Sequence, residues 1–381
     1  MDSELSEQTG VVLSGGGARG SYQAGAIKAL FEIAYKNGIQ KPYPIITGTS
    51  AGAINAAFMA SMIHDLKNGS QAIPEVWSKL KTNMVIRTDT LSLGRLGFRL
   101  LKEFTMGSLI KKKKAMSLLD TAPLRDLLNQ NINYTNIQNN IQNKNLRAVA
   151  VTATNYANSN RVTFIQGVPH LQGWQKVRRF SDFCELNTEH IMASSAIPVF
   201  FPPIQVGNGY YGDGCLRNFT PLSPAIKLGA SKLIVIGVQK EIKLEDPGSV
   251  KMPIMPTLAR VISVITNALL MDNVFLDIER LERINETVSL IKDQNSASGN
   301  FKPLEILHIR PSEDIGKIAF DEAENLPSTL KFLIDGLGSR QEAAELISYL
   351  LFETGFCRKL IAMGYKDTMA VEQNVLNIIK D

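Results

Sequence analysis

The chain has 381 residues, of which 44% are hydrophobic and 20% are charged. This composition supplies enough apolar surface for one large folded unit, or for a domain with an extension, and it excludes intrinsic disorder. The net charge is only +5, and residues 94–114 carry seven basic residues and one acidic residue. Because the rest of the chain is nearly neutral, we expect no nucleic-acid partner.

The sequence also limits the compartment and the metal chemistry. It opens with MDSELSEQT, which lacks the basic start and the apolar run of a secretory signal. The longest charge-free apolar stretch of the C-terminal half, Val261–Met271, is shorter than the roughly 18–20 residues of a membrane-spanning helix. Cys184, Cys215 and Cys357 are far apart and show no metal-ligand spacing. We expect a soluble, cytoplasmic protein without metal or cofactor, and the oligomeric state stays open.

The first predicted elements are a strand, a glycine-rich loop and a helix. Val11–Leu13 is apolar and leads into SGGGARG, and the following helix has apolar residues at helical spacing before Gly38. Gly15, Gly17 and Gly20 match G-x-G-x-x-G, but a dinucleotide site needs an acidic residue about 20 positions further on, near the end of the second strand, and this strand ends in GTSAG instead. The lysine of a Walker loop is also missing. Consecutive N–H groups without side chains ahead of a helix predict an anion cradle instead.

The second unit is a short strand, Pro44–Thr47, followed by a turn and a helix of small residues, Ala51–Ala60. The turn consists of Gly48, Thr49, Ser50, Ala51 and Gly52. Its G-x-S-x-G pattern is typical of a strained strand-to-helix turn that exposes a serine hydroxyl. A serine that only caps the helix is the alternative. The anion cradle favours a nucleophile, because acyl transfer creates an oxyanion that must be stabilised.

The segment Leu91–Lys114 combines an apolar and a basic face. The apolar positions recur at helical spacing and are Leu93, Leu96, Leu100, Leu101 and Phe104. Arg95, Arg99 and Lys102 occupy another face, and Lys111–Lys114 follow. The pattern predicts an interfacial helix in peripheral contact with an anionic membrane surface. An ordinary amphipathic helix packed on the sheet, with a solvated lysine tail, is the alternative.

The remaining chain indicates the fold class. Three apolar, β-branched segments predict strands of a buried sheet: Leu146–Thr152, Val162–Ile165 and Leu233–Val238. The segment from Asn129 to Asn145 is rich in Gln and Asn, and we expect an exposed connection there. Because strand, turn and helix alternate, the sequence predicts an α/β fold with a mainly parallel sheet.

A polar, proline-containing stretch near 241–256 predicts a boundary. We therefore divide the chain into a catalytic domain at 8–240 and an extension at 241–381. The extension begins with a long helical pattern, includes one strand-like segment, Leu304–Ile309, and continues as helix. We expect it to be mostly helical, and its role is open.

A serine nucleophile needs a base, and the four histidines do not stand in a recognisable triad motif. Asp213 is better placed, because it lies in GYYGDGC, where the flanking glycines let its carboxylate approach another loop closely. Gly214 and Cys215 complete this base loop. A turn aspartate without a catalytic role is the alternative.

The motifs SGGGARG, GTSAG and the DG of GYYGDGC, in this order, resemble the patatin-like phospholipases, a family of lipid acyl hydrolases. Ser117–Leu128 and Ala193–Ile204 are also similar to that family, and the likeness covers about residues 9–239. It implies a three-layer α/β/α sandwich and catalysis by a Ser–Asp dyad without histidine. The C-terminal part has no motif to which the resemblance extends.

Matched motif by motif, the resemblance implies that Ser50 is the nucleophile and Asp213 the base. It also implies an oxyanion hole made of Gly15, Gly16, Gly17, Ala18, Arg19 and Gly20. Cys215 departs from the family, which usually has Gly or Ala there. The implied substrate is a membrane phospholipid or lysophospholipid, and the implied reaction is hydrolysis of a fatty-acyl ester. An acyltransferase or thioesterase on the same fold, or a non-catalytic membrane-binding effector, are the alternatives.

Overall fold

A ten-stranded sheet organises the part of the chain that the computed structural model describes, which is residues 8–87, 117–241, 255–270, 272–290, 303–336 and 338–380. The strands are β1 (Gln8–Leu13), β2 (Ile45–Thr49), β3 (Ala148–Asn155), β4 (Arg161–Gly167), β5 (Gln175–Lys176), β6 (Arg179–Phe183), β7 (Ile204–Val206), β8 (Gly209–Asp213), β9 (Ala230–Ile236) and β10 (Glu305–Ile309). Their order is β10-β9-β1-β2-β3-β4-β6-β5, and β8 joins β7 to β3. The strands from β10 to β3 are parallel, whereas β4 and β8 each pair with β3 in antiparallel fashion.

Helices cover both faces of this sheet. The helices are α1 (Gly20–Lys36), α2 (Ala51–Met62), α3 (Leu66–Ser78), α4 (Ala122–Asn131), α5 (Tyr134–Gln142), α6 (Thr188–Ser194), α7 (Ser223–Lys227), α8 (Leu258–Leu270), α9 (Asp272–Ser289), α10 (Ile315–Asp321), α11 (Ser328–Asp335), α12 (Ala344–Leu350), α13 (Thr354–Met369) and α14 (Glu372–Ile379). Short 3₁₀ turns occur at Gly17–Arg19, Thr82–Met84, Gly214–Arg217 and Ala323–Asn325.

Alternation along the central strands produces two cores. In β1, Val11 and Leu13 enter the larger core, which also holds much of α1, α2 and α13, while Val12 enters a smaller core with α7 and α9. The same alternation occurs in β9, because successive side chains of a strand point to opposite faces. The architecture is therefore an α/β sandwich with helical layers on both sides of a mostly parallel sheet, as the sequence predicts.

The prediction for the segment from Asn129 to Asn145 is wrong, because this segment forms the end of α4 and all of α5. Ile137 and Ile141 lie one helical turn apart and are buried in the larger core. Asn140 is also buried, and its side-chain amide donates to the carbonyl of Ala60 at 2.8 Å. The spaced isoleucines, rather than the polar composition, decide the conformation.

The C-terminal part contributes directly to the sheet and to the larger core. Strand β10 pairs with β9 along its whole length, and α13 packs against α1, so closely that a Cβ on Gly364 would lie 2.0 Å from the carbonyl of Tyr22. A division of the chain near residue 241 stays a prediction about its organisation. The segment Leu91–Lys114 lies outside the described residues.

One described helical stretch, Leu258–Ser289, is long and apolar enough to cross a membrane by length and composition. It consists of α8 and α9, and 29% of its most apolar part is buried inside the protein. Leu258, Val261 and Ile265 of α8 are exposed. Asp277 of α9 accepts a hydrogen bond from the backbone of Leu222 at 3.0 Å, so the second half of this stretch packs on the folded chain.

Candidate active site

Ser50 lies in the turn between β2 and α2 and has a strained backbone. Its φ is 57° and its ψ is −129°, a conformation that non-glycine residues seldom adopt. The flanking glycines allow this turn: a Cβ on Gly48 would lie 2.2 Å from the carbonyl oxygen of Gly52, and a Cβ on Gly52 would lie 2.2 Å from that of Leu13. Such strain at an observed outlier indicates a functional position.

The hydroxyl of Ser50 donates a hydrogen bond to Oδ2 of Asp213 at 2.5 Å. Asp213 ends β8, which the sheet places opposite Ala153 of β3. The carboxylate is fully buried, and its other oxygen accepts from the backbone N–H of Cys215 at 2.9 Å. Burial raises the pKa of Asp213 to about 6, although both hydrogen bonds favour the charged form. A carboxylate of this pKa can accept a proton near neutral pH.

Two further serines hold the peptide of Ser50 in place. The backbone N–H of Ser50 donates to Oγ of Ser194 at 3.0 Å, and that hydroxyl donates to the carbonyl of Thr152 at 2.6 Å. The hydroxyl of Ser195 donates to the carbonyl of Ser50 at 3.0 Å. Both serines belong to ASSAIP, a stretch quoted above for its likeness to the family but given no role from sequence.

The first half of the glycine loop lies against Ser50. A Cβ on Gly15 would lie 3.0 Å from Cβ of Ser50 and 2.4 Å from Sγ of Cys215, so only glycine fits there. Gly17 has a φ of 56° and lines the same pocket as Ser50. A Cβ on Gly16 would lie 2.7 Å from the side chain of Val238. This half of the loop can therefore present backbone N–H groups toward Ser50.

Backbone N–H groups in the second half of the loop form hydrogen bonds within the loop itself. The N–H of Arg19 donates to the carbonyl of Gly16 at 3.1 Å, and the N–H of Gly20 donates to the carbonyls of Gly17 and Ala18. Ala18 is fully buried. The sequence predicts that all six residues form one oxyanion hole. In the structure, the N–H groups of Arg19 and Gly20 form hydrogen bonds within the turn.

The side chain of Arg19 points away from Ser50 toward helix α12. It donates to Oγ of Ser348 at 2.7 Å, forms an ion pair with Glu345, and lies over the ring of Tyr349 with 4.8 Å to the ring centre. A Cβ on Gly17 would lie 2.4 Å from the carbonyl of Tyr349. The C-terminal part therefore fixes the glycine loop from behind, which sequence reasoning did not foresee.

Ser50 lines an apolar pocket whose empty volume, counted together with the open solvent at its mouth, is roughly 650 Å³. Its lining is formed by Gly17, Ser50, Ala51, Ile54, Phe58, Val76, Trp77, Leu80, Val85, Leu124, Leu127, Leu128, Asn131, Ile132, Ser195, Ile197, Phe201 and Phe352. Trp77 is held by a hydrogen bond from its indole N–H to Asn55 at 2.8 Å. The apolar walls suit a fatty-acyl chain.

No histidine forms a hydrogen bond with Ser50 or Asp213 among the described residues. His190 caps α6, and its ring bonds Asn187 at 2.9 Å. Among the described residues, no group of His, Cys, Asp and Glu side chains is arranged to hold a metal ion.

Comparison with known proteins adds a family match. A sequence model of the family described as patatin-like phospholipase matches residues 11–226. No curated protein matches the chain. VipD from Legionella pneumophila is similar in structure, with 13% identity, a TM-score of 0.34, and coverage of 97% of this chain and 67% of VipD. Human GIVD cytosolic phospholipase A2 is similar at 12% identity and a TM-score of 0.40, with coverage of 100% of this chain and 60% of the enzyme.

Proposed function

The chain belongs to the patatin-like phospholipase family, and we propose that it is a serine hydrolase that cleaves fatty-acyl esters of membrane phospholipids or lysophospholipids with a Ser50–Asp213 dyad. One observation carries this proposal. The hydroxyl of Ser50 donates to a fully buried carboxylate at 2.5 Å, and Ser50 lines an apolar pocket. A nucleophile with a base in hydrogen-bond reach is the minimum that ester hydrolysis requires.

In the first half of the reaction, Oγ of Ser50 attacks the ester carbonyl while Asp213 takes its proton. The carbonyl oxygen becomes an oxyanion, and backbone N–H groups of the loop around Gly16 and Gly17 stabilise it. Asp213 then returns the proton to the departing alcohol oxygen as the ester bond breaks. The products are an acyl-Ser50 intermediate and the lipid alcohol.

Hydrolysis of the acyl-enzyme repeats these steps with water. Asp213 takes a proton from water as its oxygen attacks the acyl carbonyl, and Ser50 leaves with that proton when the tetrahedral intermediate collapses. The fatty acid is released. The raised pKa of Asp213 brings the base closer to neutral pH, where general-base catalysis is most efficient.

The products of lipid cleavage test the proposal directly. Mixed phospholipid liposomes incubated with the wild-type chain should release free fatty acid, whereas Ser50→Ala should release none, as measured by mass spectrometry. Ser289→Ala is a matched control, because that serine is exposed at the end of α9 and its hydroxyl donates to the carbonyl of Glu286 in the same helix. Equal release by Ser50→Ala and the wild type would refute the nucleophile.

The same experiment separates the two alternatives. An acyltransferase would move the fatty-acyl group to an added acceptor alcohol or thiol in preference to water, and the acyl product would show this. A non-catalytic effector would bind the liposomes and release nothing. The prediction that the acyl group leaves the lipid only when Ser50 is present holds for a hydrolase and for an acyltransferase, and it fails for a non-catalytic effector.

Peripheral membrane contact is the finer part of the proposal and rests on sequence. Lys111–Lys114 follow an amphipathic pattern, and each basic residue near an anionic bilayer contributes about 1 kcal/mol of binding. Replacement of all four with glutamine should weaken binding to anionic liposomes strongly, and high salt should mimic the change. Turnover of a small soluble ester should stay at the wild-type rate. Equal binding of this variant and the wild type to anionic liposomes would remove the segment as the contact.

A further inference from the structure

A group of basic side chains lies at the start of β4 and β6, outside the dyad. Arg161 begins β4 and Arg179 begins β6, and the two residues are paired in the parallel register. Their side chains therefore leave the sheet on the same face. Lys227 ends α7, and its Nζ lies over the ring of Trp174 with 4.8 Å to the ring centre. We call Arg161, Trp174, Arg179 and Lys227 the cationic cluster.

Several nitrogen atoms of this cluster are buried without a hydrogen-bond acceptor among the described residues. Arg161 is only 1% exposed, and its Nε and Nη2 have no partner. Nζ of Lys227 and Nε1 of Trp174 are in the same situation. Buried donors in native proteins nearly always have an acceptor, so each unmet donor indicates that one is to be supplied.

The positive charges of the cluster are also unbalanced. Burial, and then the neighbouring Arg179, lower the pKa of Arg161 to about 10. Burial, Arg179 and Arg161 also lower the pKa of Lys227. Asp277 is the nearby carboxylate, and its charge raises the pKa of Arg161, while Arg161 and Arg179 oppose the rise that burial causes in the pKa of Asp277. It also accepts from the backbone of Leu222 at 3.0 Å and lies 3.6 Å from Arg280 on α9. Arg161, Arg179 and Lys227 therefore share one carboxylate, and because incompletely paired buried charge is costly, an added anion stabilises this arrangement.

We propose that the cationic cluster binds a phosphate-type oxyanion, whose oxygens accept hydrogen bonds from Nε and Nη2 of Arg161 and from Nζ of Lys227. A guanidinium edge offers two parallel N–H groups, which match two oxygens of a phosphate. Arg179 adds a third positive charge at the partly exposed side of the cluster. The same chemistry is offered by the head group of an anionic phospholipid and by a free phosphate compound.

The cluster is connected to the nucleophile turn by two buried hydrogen bonds. Nη1 of Arg161, the nitrogen not used for the anion, donates to the side-chain carbonyl of Asn218 at 2.7 Å. The amide of Asn218 donates in turn to the hydroxyl of Thr49 at 2.9 Å, one residue before Ser50. The anion site is therefore separate from the dyad, and it shares with it the framework that holds the turn.

Binding of inorganic phosphate to the full chain tests the site without any assay of hydrolysis. Isothermal titration calorimetry at constant ionic strength should detect phosphate binding. Lys227→Gln should weaken it about tenfold or more, the effect of one lost charge-assisted hydrogen bond, and Arg179→Gln should weaken it because a positive charge beside the anion is lost. Fluorescence of Trp174, which lies beneath Lys227, should change on titration in the wild type and not in Trp174→Phe.

Arg178→Gln is the matched control. It removes the same charge from the position next to Arg179, and its side chain is exposed. Lys227→Gln and Arg179→Gln carry the test because Arg161→Gln also removes the buried contact with Asn218. Failure of the wild type to bind phosphate, or equal affinity in Lys227→Gln, Arg179→Gln and Arg178→Gln, would overturn the site.

Vesicles distinguish the two sources of the phosphate group. If the ligand is a lipid head group, binding to phosphatidylcholine vesicles that contain phosphatidic acid should fall in Lys227→Gln, and inorganic phosphate should compete. If the ligand is a free phosphate compound, Lys227→Gln should bind those vesicles like the wild type while losing affinity for phosphate. Either result supports the anion site and assigns its ligand.

Discussion

Asp213 and Arg161 are buried charged residues at the same end of β3, yet their surroundings differ. Asp213 lies opposite Ala153 and Arg161 opposite Thr154, on two different neighbouring strands. Each carboxylate oxygen of Asp213 accepts a hydrogen bond, whereas only one of the three guanidinium nitrogens of Arg161 has a partner among the described residues. The two hydrogen bonds of Asp213 fix its carboxylate in position for proton transfer. The unpaired N–H groups of Arg161 leave its guanidinium able to bind an anion.

The largest expected effect is that of a substitution at Asp213. Asp213→Asn removes the base but keeps the shape of the side chain, so kcat for a soluble ester should fall by roughly 10²–10⁴-fold, the range of general-base catalysis. His190→Asn serves as the control and should keep near-wild-type turnover, since its ring bonds Asn187 and not the dyad. Steady-state kinetics check both variants. Near-normal kcat in Asp213→Asn would refute the dyad.

A second prediction compares two buried arginines by the free energy of unfolding. Arg19 is paired with Glu345 and Ser348, so Arg19→Met should lower stability by about 3 kcal/mol, because it leaves a partly buried carboxylate unpaired. Arg161→Met should cost no more than about 2 kcal/mol, because Arg161 is incompletely paired: Asp277 keeps Arg280 at 3.6 Å, and the acceptors at Asn218 and Thr220 lose a donor. Urea denaturation measures both values. Equal losses would show that Arg161 is as well compensated as Arg19.

The third prediction concerns pH and follows from the raised pKa of Asp213. Activity should rise about tenfold per pH unit up to about pH 6 and then level off, because the base must be ionised. The folded state binds this proton more tightly than the unfolded state, whose pKa is near 3.8. Stability from this group is therefore complete below about pH 4 and falls as the pH rises to about 6.

Asp213→Asn isolates that stability effect. At pH 8 the variant should gain up to about 3 kcal/mol relative to the wild type, the equivalent of a shift of about two pKa units, and the gain should vanish below about pH 4. Urea denaturation at a series of pH values measures the difference. A constant difference across this range would mean that the carboxylate is not destabilised by its burial.

The smallest expected effect is that of a chelator. Excess EDTA should leave turnover of a soluble ester unchanged, because the proposed mechanism meets the oxyanion with backbone N–H groups. Loss of turnover that is restored by an added divalent metal would show that a cation takes part and that the dyad is incomplete as described. Ser50→Ala, assayed alongside, gives the background rate.

Local steric patterns explain how much of the molecule could be predicted from sequence. The glycine loop, the G-x-S-x-G turn and the alternation of strand and helix depend on neighbouring residues, so the fold class and the strand positions were predictable. The ends of the strands were less predictable, since β3 extends to Asn155, beyond the expected Thr152. The Gln- and Asn-rich helix was missed because composition outweighed the spacing of Ile137 and Ile141.

Contacts between distant parts of the chain were decided by tertiary structure alone. The sequence by itself determined that a serine stands in a strained turn behind a glycine loop, because both features follow from local backbone geometry. Only the sheet register brings Ser50 within 2.5 Å of Asp213, sets Ser194 and Ser195 around its peptide, and pairs Arg161 with Arg179. The ion pair of Arg19 with Glu345 joins residues 326 positions apart. No local sequence pattern predicts these contacts, because the distance between such residues depends on how side chains pack in the two cores on opposite faces of the sheet.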